Sequence, residues 1–536
     1  MKFITGKDRN QAEFFCLESA ISEENEIRMI DLFVKTIDLT DFGFNMNFVE
    51  NGRPAYHPSD LLRLYIYGYL NRVRSSRQLE KECKRNIEVM WLMKGLVPDH
   101  NTIANFRKDN PRAIRRVFQA TVSLAKSFEL IGGKLLAGDG TKLRAQNSKK
   151  NNFTQAKIER HIAYIDAKLE EYNVSLAEND GDLTAGEVQK INDEITTQQG
   201  RKEKYQEHKK QLEKTGEAQV STSDPESRQM ITRNNITEVA YNVQSTVDAK
   251  HNIPIDFKVT NKNDSKAMGA MVRRAKTILG HADFTAVFDK GYYTGTEFDY
   301  AKRQGIKVLV AIPDVASHAP DISFDIEHFK YDKQKDHYIC PENQIVSTNG
   351  NTYNKANGKT MIKVKHYKTK ACLGCVSFSK CTKNKKGRLI ERSQYSDVIY
   401  ENKLRMDENK DVYRKRQAIV EHPFGVIKRL PIVIGRDFYY IMTKKSMKHA
   451  SADVGLIFTC YNLRRIFNLI GQNELKEFLK KLAFCFSILT SYFKPLQRLL
   501  KFQFTTTAFS KPLQMVFLNR LYLSKKQLVF EADLGF

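Results

Sequence analysis

The sequence predicts an α/β protein in which a mixed sheet follows an all-helical N-terminal segment and is interrupted by a helical hairpin and a cysteine-rich stretch. Three observations predict it. The runs KLLAGDGTKLRA (134–145), YNVQSTVDA (241–249), IPIDFKVT (253–260), FTAVFD (284–289) and IKVLVAIP (306–313) read as strands. The second and third alternate around KHN as a β-hairpin does, and helix-like stretches near 270–280 and at 293–305 separate the last three, as in αβαβ units. Finally, Ile158, Ile162, Ile165, Leu169, Tyr172 and Leu176 recur at four- and three-residue steps, the spacing of a helix–helix seam. Val188, Ile191, Ile195, Tyr205 and Leu212 continue that seam on a second helix after the turn-like NDGD.

The helical segment comes first in the chain. HPSDLLRLYIYGYL places Pro58 at a first helical position with Asp60 in the first turn. NRVRSSRQLEKECKRN carries Arg72, Arg74, Arg77, Lys81, Lys84 and Arg85, a basic face suited to DNA or to solvent alike. PDHNTIANFRKDN (98–110) opens another helix with Asn101 or Thr102 as its cap. The expected organisation is a helical DNA-binding domain at 1–125, the first part of the core at 126–313 with the hairpin at about 154–217, and a cysteine-rich insertion at 314–410. Core helices at 411–470 and a C-terminal extension at 471–536 complete it.

With 536 residues the chain exceeds one compact core. Its 87 Lys and Arg outnumber 62 Asp and Glu, a formal charge of +25 spread along the chain, which favours a polyanionic partner over a membrane surface. The longest apolar runs, such as LAFCFSILTSYF, fall short of the roughly 20 residues that span a bilayer. The start MKFITGKDRNQ turns polar almost at once, unlike a secretory signal. Eight cysteines in so long a chain suit a reducing compartment, here the cytoplasm.

Three acids stand out. Asp139 in LLAGDGTKLRAQ and Asp289 in FTAVFDKGYYTG each end an apolar strand beside a glycine and a lysine. Strand ends facing a crevice are where α/β folds put their chemistry, yet an acid there also serves as a helix cap. The third is Glu421 in DVYRKRQAIVEHPFGVIKRL. At about 100° per residue it shares one helical face with Tyr413, Gln417, Phe424 and Lys428, with Arg416 to one side. Taken alone, that face is a surface ion-pair ladder, and Pro423 kinks the helix or begins a new one.

Together, GDGTK, VFDKGYYTG and YRKRQAIVEHPFGVIKR resemble, in type and order, the DDE transposases of bacterial insertion sequences, over about residues 50–465. The resemblance implies an RNase H-like sheet that carries Asp139, Asp289 and Glu421 as the catalytic, metal-binding acids. It also implies Mg²⁺ or Mn²⁺ as cofactor, double-stranded DNA as partner, both as transposon ends and as target, and a homodimer holding two ends in a nucleoid-associated synaptic complex. The tyrosine-arginine-glutamate-lysine signature of related transposases maps onto Tyr413, Arg416, Glu421 and Lys428. Four residues, not three, separate Arg416 from Glu421, so Lys415 or Arg414 can take the arginine's place. Lys142 and Arg144 beside Asp139, and Arg72, Arg74 and Arg77, are the further candidates for DNA contact.

Hard cations take oxygen ligands, and two Mg²⁺ ions about 4 Å apart supply an activated water and a stabilised leaving oxygen. The implied activity is cleavage at terminal inverted repeats and joining of the 3′ ends to target DNA. A domesticated DNA-binding protein and an RNase H-like nuclease without strand transfer are the alternatives. Within 314–410, Cys340 and ACLGCVSFSKC (Cys372, Cys375, Cys381) suggest a structural four-thiolate Zn²⁺ site.

Overall fold

A computed structural model describes residues 14–46, 54–178, 184–232, 236–314, 319–357, 360–428, 441–442 and 444–488. Six helices come first: α1 (Glu26–Lys35), α2 (Pro58–Leu70), α3 (Ser76–Arg85), α4 (Ile87–Met93), α5 (His100–Asp109) and α6 (Pro111–Ser127). Strands β1 (Leu135–Ala145) and β2 (Asn152–Thr154) precede α7 (Gln155–Glu178) and α8 (Ala185–Thr215). Then follow β3 (Gln219–Ser221), β4 (Arg228–Ile231), β5 (Thr237–Asp248), β6 (Ile253–Thr260), α9 (Met268–Leu279), β7 (Thr285–Phe288), α10 (Gly295–Arg303) and β8 (Lys307–Val310). Next are β9 (Lys330–Asp332), β10 (His337–Ile339), β11 (Ile345–Asn357), β12 (Thr360–Lys368), α11 (Phe378–Cys381) and β13 (Ile390–Ser393). The last are α12 (Ser396–Glu408), α13 (Lys410–Arg414), α14 (Arg416–Lys428), β14 (Ile441–Met442), α15 (Met447–Leu469) and α16 (Gln472–Ile488).

The chain divides into two compact units, the first formed by 1–132, 140–263 and 420–536, the second by 133–139 and 264–419. The first is built around two helices that are buried nearly all round. Pro58 starts α2 as its composition predicts, and Asp60 through Tyr69 are all buried. On α15, Phe458 meets Phe118 of α6 and Phe257 of β6, with ring centroids 6.1 and 5.3 Å away. Burying such rings is the largest favourable contribution a core side chain makes. One polar network is buried with them: Arg107 of α5 donates to the Tyr69 hydroxyl (3.1 Å) and to Asp453 (3.4 Å), and Tyr69 donates to Asp453. The α5 cap is Asp99, not Asn101 or Thr102; its carboxylate accepts from the backbone N–H of both, at 2.9 and 3.0 Å.

In the same unit β5 and β6 form the expected antiparallel hairpin, with Val243 opposite Val259. Strand β5 also pairs β4, and the second half of β1 carries β14 in parallel, Ala145 opposite Met442. Helices α7 and α8 form the expected hairpin, footed on the β2–β3 pair. Ile158 and Leu212 are buried at its base with Val220, and Thr184 and Glu187 cap α8 reciprocally.

The second unit holds the first half of β1 parallel to β7, and β7 parallel to β8. The outer strand β8 is covered by α12, whose Asn402 donates to the Val310 carbonyl (2.9 Å) and accepts from its N–H (3.1 Å). A side-chain amide thus satisfies the backbone of an edge strand. The cysteine-rich stretch, which sequence periodicity left without elements, is a five-stranded antiparallel sheet in the order β13-β12-β11-β10-β9. Phe329, Tyr338, Val346, Tyr367 and Ile390 are its core. Asp336 accepts from the Tyr331 and Tyr367 hydroxyls and from Lys365, and these donors hold its carboxyl down at about 2.

Strands β1 and β7 fit through one missing side chain. A Cβ built on Gly138 would lie 2.0 Å from the Phe288 ring. Gly138→Ala should destabilise the protein by about 1–3 kcal/mol through overpacking, seen as a lower thermal midpoint, and Phe288→Leu should recover part of the loss.

Candidate active site

In the β1–β7 pair Ala137 stands opposite Val287. Two residues further along the chain come Asp139, within β1, and Asp289, the first residue past β7, whose backbone is still extended (φ −79°, ψ 176°). Neighbouring strands lie about 4.8 Å apart, and positions two apart share a face. The parallel register therefore puts the two carboxylates side by side on one face. Gly138 and Phe288 occupy the other.

The capping reading of Asp289 also holds. Its Oδ1 accepts from the Gly291 N–H at 2.9 Å and starts a short helical turn at 290–292. A Cβ on Gly291 would meet Asp289 Oδ1 at 3.0 Å and Asp264 Oδ2 at 3.8 Å. Asp264 thus stands close to Asp289. Sequence reasoning missed it, although NKND, an acid shortly after strand β6, carries the same kind of signal as the other two.

Beneath the acids lies Tyr292, with no exposed surface. Burial first, then the negative charges of Asp264, Asp139 and Asp289, hold its phenol well above the ordinary range, so it remains a proton donor at neutral pH. Arg416 is the counter-charge: its Nη1 lies 3.8 Å from Asp139 Oδ2, with the guanidinium 18% and the carboxylate 22% exposed. That Nη1 is buried without a hydrogen-bond partner. Arg416 also donates to Tyr413, whose phenol is raised by burial and lowered by the guanidinium. Of the tyrosine-arginine pair expected to grip DNA, both members are therefore half-buried beside the acids.

Helix α13 ends at Arg414 and α14 begins at Arg416, while Lys415 between them keeps right-handed helical angles (φ −68°, ψ −20°) and accepts from the Ile419 N–H at 3.2 Å. Within α14, which keeps Pro423 inside it, Glu421 is exposed while Phe424 is buried. Glu421 belongs to the first unit, and the Lys428 side chain lies outside the described residues.

Lys142 and Arg144 alternate with Asp139 along β1, so the pleat turns them to the opposite face. Exposed Arg144 pairs with Glu238 at 3.7 Å. Arg72 and Arg77 are exposed, whereas the Arg74 guanidinium lies over the Tyr69 ring at 5.8 Å.

A hydrated Mg²⁺ needs only one or two carboxylates and keeps the rest of its shell as water or substrate oxygen. The in-register pair Asp139 and Asp289 fits that requirement. Among the described residues no three His, Cys, Asp or Glu side chains are arranged to hold a metal ion together.

That finding corrects the zinc expectation for Cys340, Cys372, Cys375 and Cys381. All four are free and partly buried, and they line one pocket with Phe324, Phe329, Val346 and Phe378. Cys340 and Cys381 pack against the aromatic core of the five-stranded sheet, and burial pushes the Cys381 thiol up.

Residues 15–109 match a family described as a transposase domain (DUF772), and residues 339–467 match a transposase DDE domain. Both matches are to transposase domains, as in a DDE transposase. The DDE match includes Tyr413, Arg416 and Glu421, while Asp139 and Asp289 lie outside both matched spans. Among solved structures, the chain has a neighbour in a piggyBac transposase synaptic complex with hairpin DNA. The TM-score is 0.31 and the identity 8%, over 92% of this chain and 89% of that one. No curated protein matches the chain. None of its described helices is long and apolar enough to cross a membrane.

Replacing Arg416 with Gln removes the cation that lowers the Tyr413 phenol. Tyrosinate absorbance, compared between R416Q and R416Q/Y413F, should show Tyr413 ionising at higher pH than in the parent, compared likewise with Y413F.

Proposed function

We propose that this protein is a DNA transposase that binds the terminal inverted repeats of an insertion sequence, cleaves the DNA ends with two Mg²⁺ ions, and joins the 3′ ends to target DNA. The observation that carries the reading is the parallel register of β1 and β7, which sets Asp139 beside Asp289. An RNase H-like core is supported by the strand relations around β1: β5 beside it and hairpinned to β6, and β7 and β8 following in parallel.

Asp139 and Asp289 would hold the divalent cations, with Glu421 as the third acid. Bound there, the ions would activate water and stabilise the leaving oxygen of a phosphodiester. Tyr292, buried and kept protonated near Asp264, Asp139 and Asp289, adds no negative charge to the site. Arg416 offsets the charge of Asp139, limiting the mutual repulsion of neighbouring carboxylates. Lys428 and Tyr413 are the proposed contacts to the transposon end. Arg72 and Arg77 on the helical segment and exposed Arg144 add backbone contacts, with Lys142 and Arg74 as lesser contributors. The reading further assigns a homodimer, which brings two ends together, and a place at the bacterial nucleoid in the cytoplasm.

Asp139→Asn, Asp289→Asn and Glu421→Gln should each abolish Mg²⁺-dependent end cleavage while leaving DNA affinity within a few-fold. Retained cleavage in any purified variant removes that residue from the catalytic set. With precut ends, cleavage competence without joining would mark a nuclease. Binding should weaken with salt at a log–log slope of roughly −0.9 per phosphate neutralised; a flat response contradicts a DNA role for the +25 charge.

A further inference from the structure

The proposed third acid stands at a weak point of its helix. Pro423 lies inside α14. Proline has no N–H, so the Ile419 carbonyl four residues earlier loses its helical donor, and the ring crowds that carbonyl. The turn that loses its hydrogen bond is the one that carries Glu421. A carboxylate meant to hold a fixed direction needs some other restraint there.

The neighbouring residue supplies one. His422 Nδ1 lies 2.6 Å from the Tyr461 hydroxyl oxygen on α15, and the Tyr461 hydroxyl donates to the Asn252 carbonyl at 2.9 Å. Tyrosine has a single hydroxyl proton, and that proton goes to Asn252. The His422–Tyr461 bond therefore requires Nδ1 to carry a proton and to donate. The result is a directed chain, His422 to Tyr461 to Asn252. Its far end is itself held: Asn252 closes the β5–β6 turn in the left-handed region (φ 54°), and Arg465 of α15 donates twice to the adjacent His251 carbonyl, at 3.1 and 2.9 Å. The Tyr461 side chain is almost wholly buried, and Phe424 is buried on the other side of Pro423. All these residues belong to the first unit.

We propose that His422 is a positioning residue for Glu421. The chain through Tyr461 to Asn252 fixes the rotation of α14 at its proline-weakened turn and so sets the direction of the Glu421 carboxylate. The inference rests on the proposed role of Glu421 in DNA cleavage.

Single-turnover cleavage by the full-length protein, with Mg²⁺ and transposon-end DNA, tests it. His422→Phe and Tyr461→Phe should each lower the rate at saturating DNA by about 10- to 100-fold, the usual cost of removing a residue that orients a metal-site ligand. The half-saturating DNA concentration should change by less than about twofold, within what DNA-backbone contacts alone set, and the thermal midpoint should stay close to the parent's. The double variant should lose no more than either single one, because both break the same chain. His422→Asn, whose amide nitrogen can donate from nearly the position of Nδ1, should recover most of the rate. An unchanged rate in His422→Phe overturns the proposal. So does a parallel fall of rate, DNA affinity and thermal midpoint that Asn does not rescue. Glu421→Gln measured alongside separates the two levels: if it still cleaves, the role of Glu421 is wrong; if it is inactive while His422→Phe cleaves normally, only the positioning role is wrong.

Discussion

The parallel pairing of β1 with β7 is the constraint on which the candidate site depends. Ala137 opposite Val287 places Asp139 and Asp289 level with each other. A one-residue slip would turn one carboxylate to the other face, because side chains alternate with a period of two. The register is held from the opposite face. Phe288 fills the space over Gly138 where no Cβ can stand, and Tyr292 packs against Phe288 with ring centroids 5.0 Å apart. The glycine of LLAGD and the phenylalanine of TAVFD are therefore two halves of one contact. Each precedes an acid because each positions it.

Charge around the acids follows from that geometry. Carboxylates on adjacent strands repel, and the chain offsets this with a cation and neutral hydrogen-bonding groups. Arg416 approaches Asp139, the Gly291 N–H caps Asp289, and the Tyr292 phenol stays protonated under Asp264, Asp139 and Asp289. Capping and catalysis, which compete as sequence readings of Asp289, are compatible in three dimensions. One carboxylate oxygen accepts from the backbone, and the second remains for another partner.

The cysteine-rich stretch shows a different balance. Polar strands bearing Lys363, Lys365 and Lys368 hide a small aromatic core, and the thiols pack at its margin. Tyr331, Tyr367 and Lys365 converge on Asp336, tying β9, β12 and the turn before β10 together. The four cysteines suggested metal because their spacing in sequence resembles a thiolate set. Among the described residues no three metal-ligating side chains are arranged to hold an ion, and the thiols sit beside Phe324, Phe329 and Phe378.

The sequence by itself determined what repeats locally. The α7–α8 seam, the β5–β6 hairpin, the apolar strand that stops just before Asp289, and Pro58 opening α2 are all written in neighbouring residues, through periodicity, capping and turn chemistry; Asp139, expected at a strand end, instead lies inside β1. The order of the three acids was legible for the same reason. What only the tertiary structure decided are contacts between residues far apart in the chain: Arg416 on Asp139, Asp264 beside Asp289, Tyr461 under His422. It also decided the sheet made from strands too polar to show a core-facing period. The physical reason is that a helix or strand is stabilised along its own length, whereas a site is assembled by packing and charge across elements. Nothing in the spacing of 139, 264 and 416 records that these residues will meet.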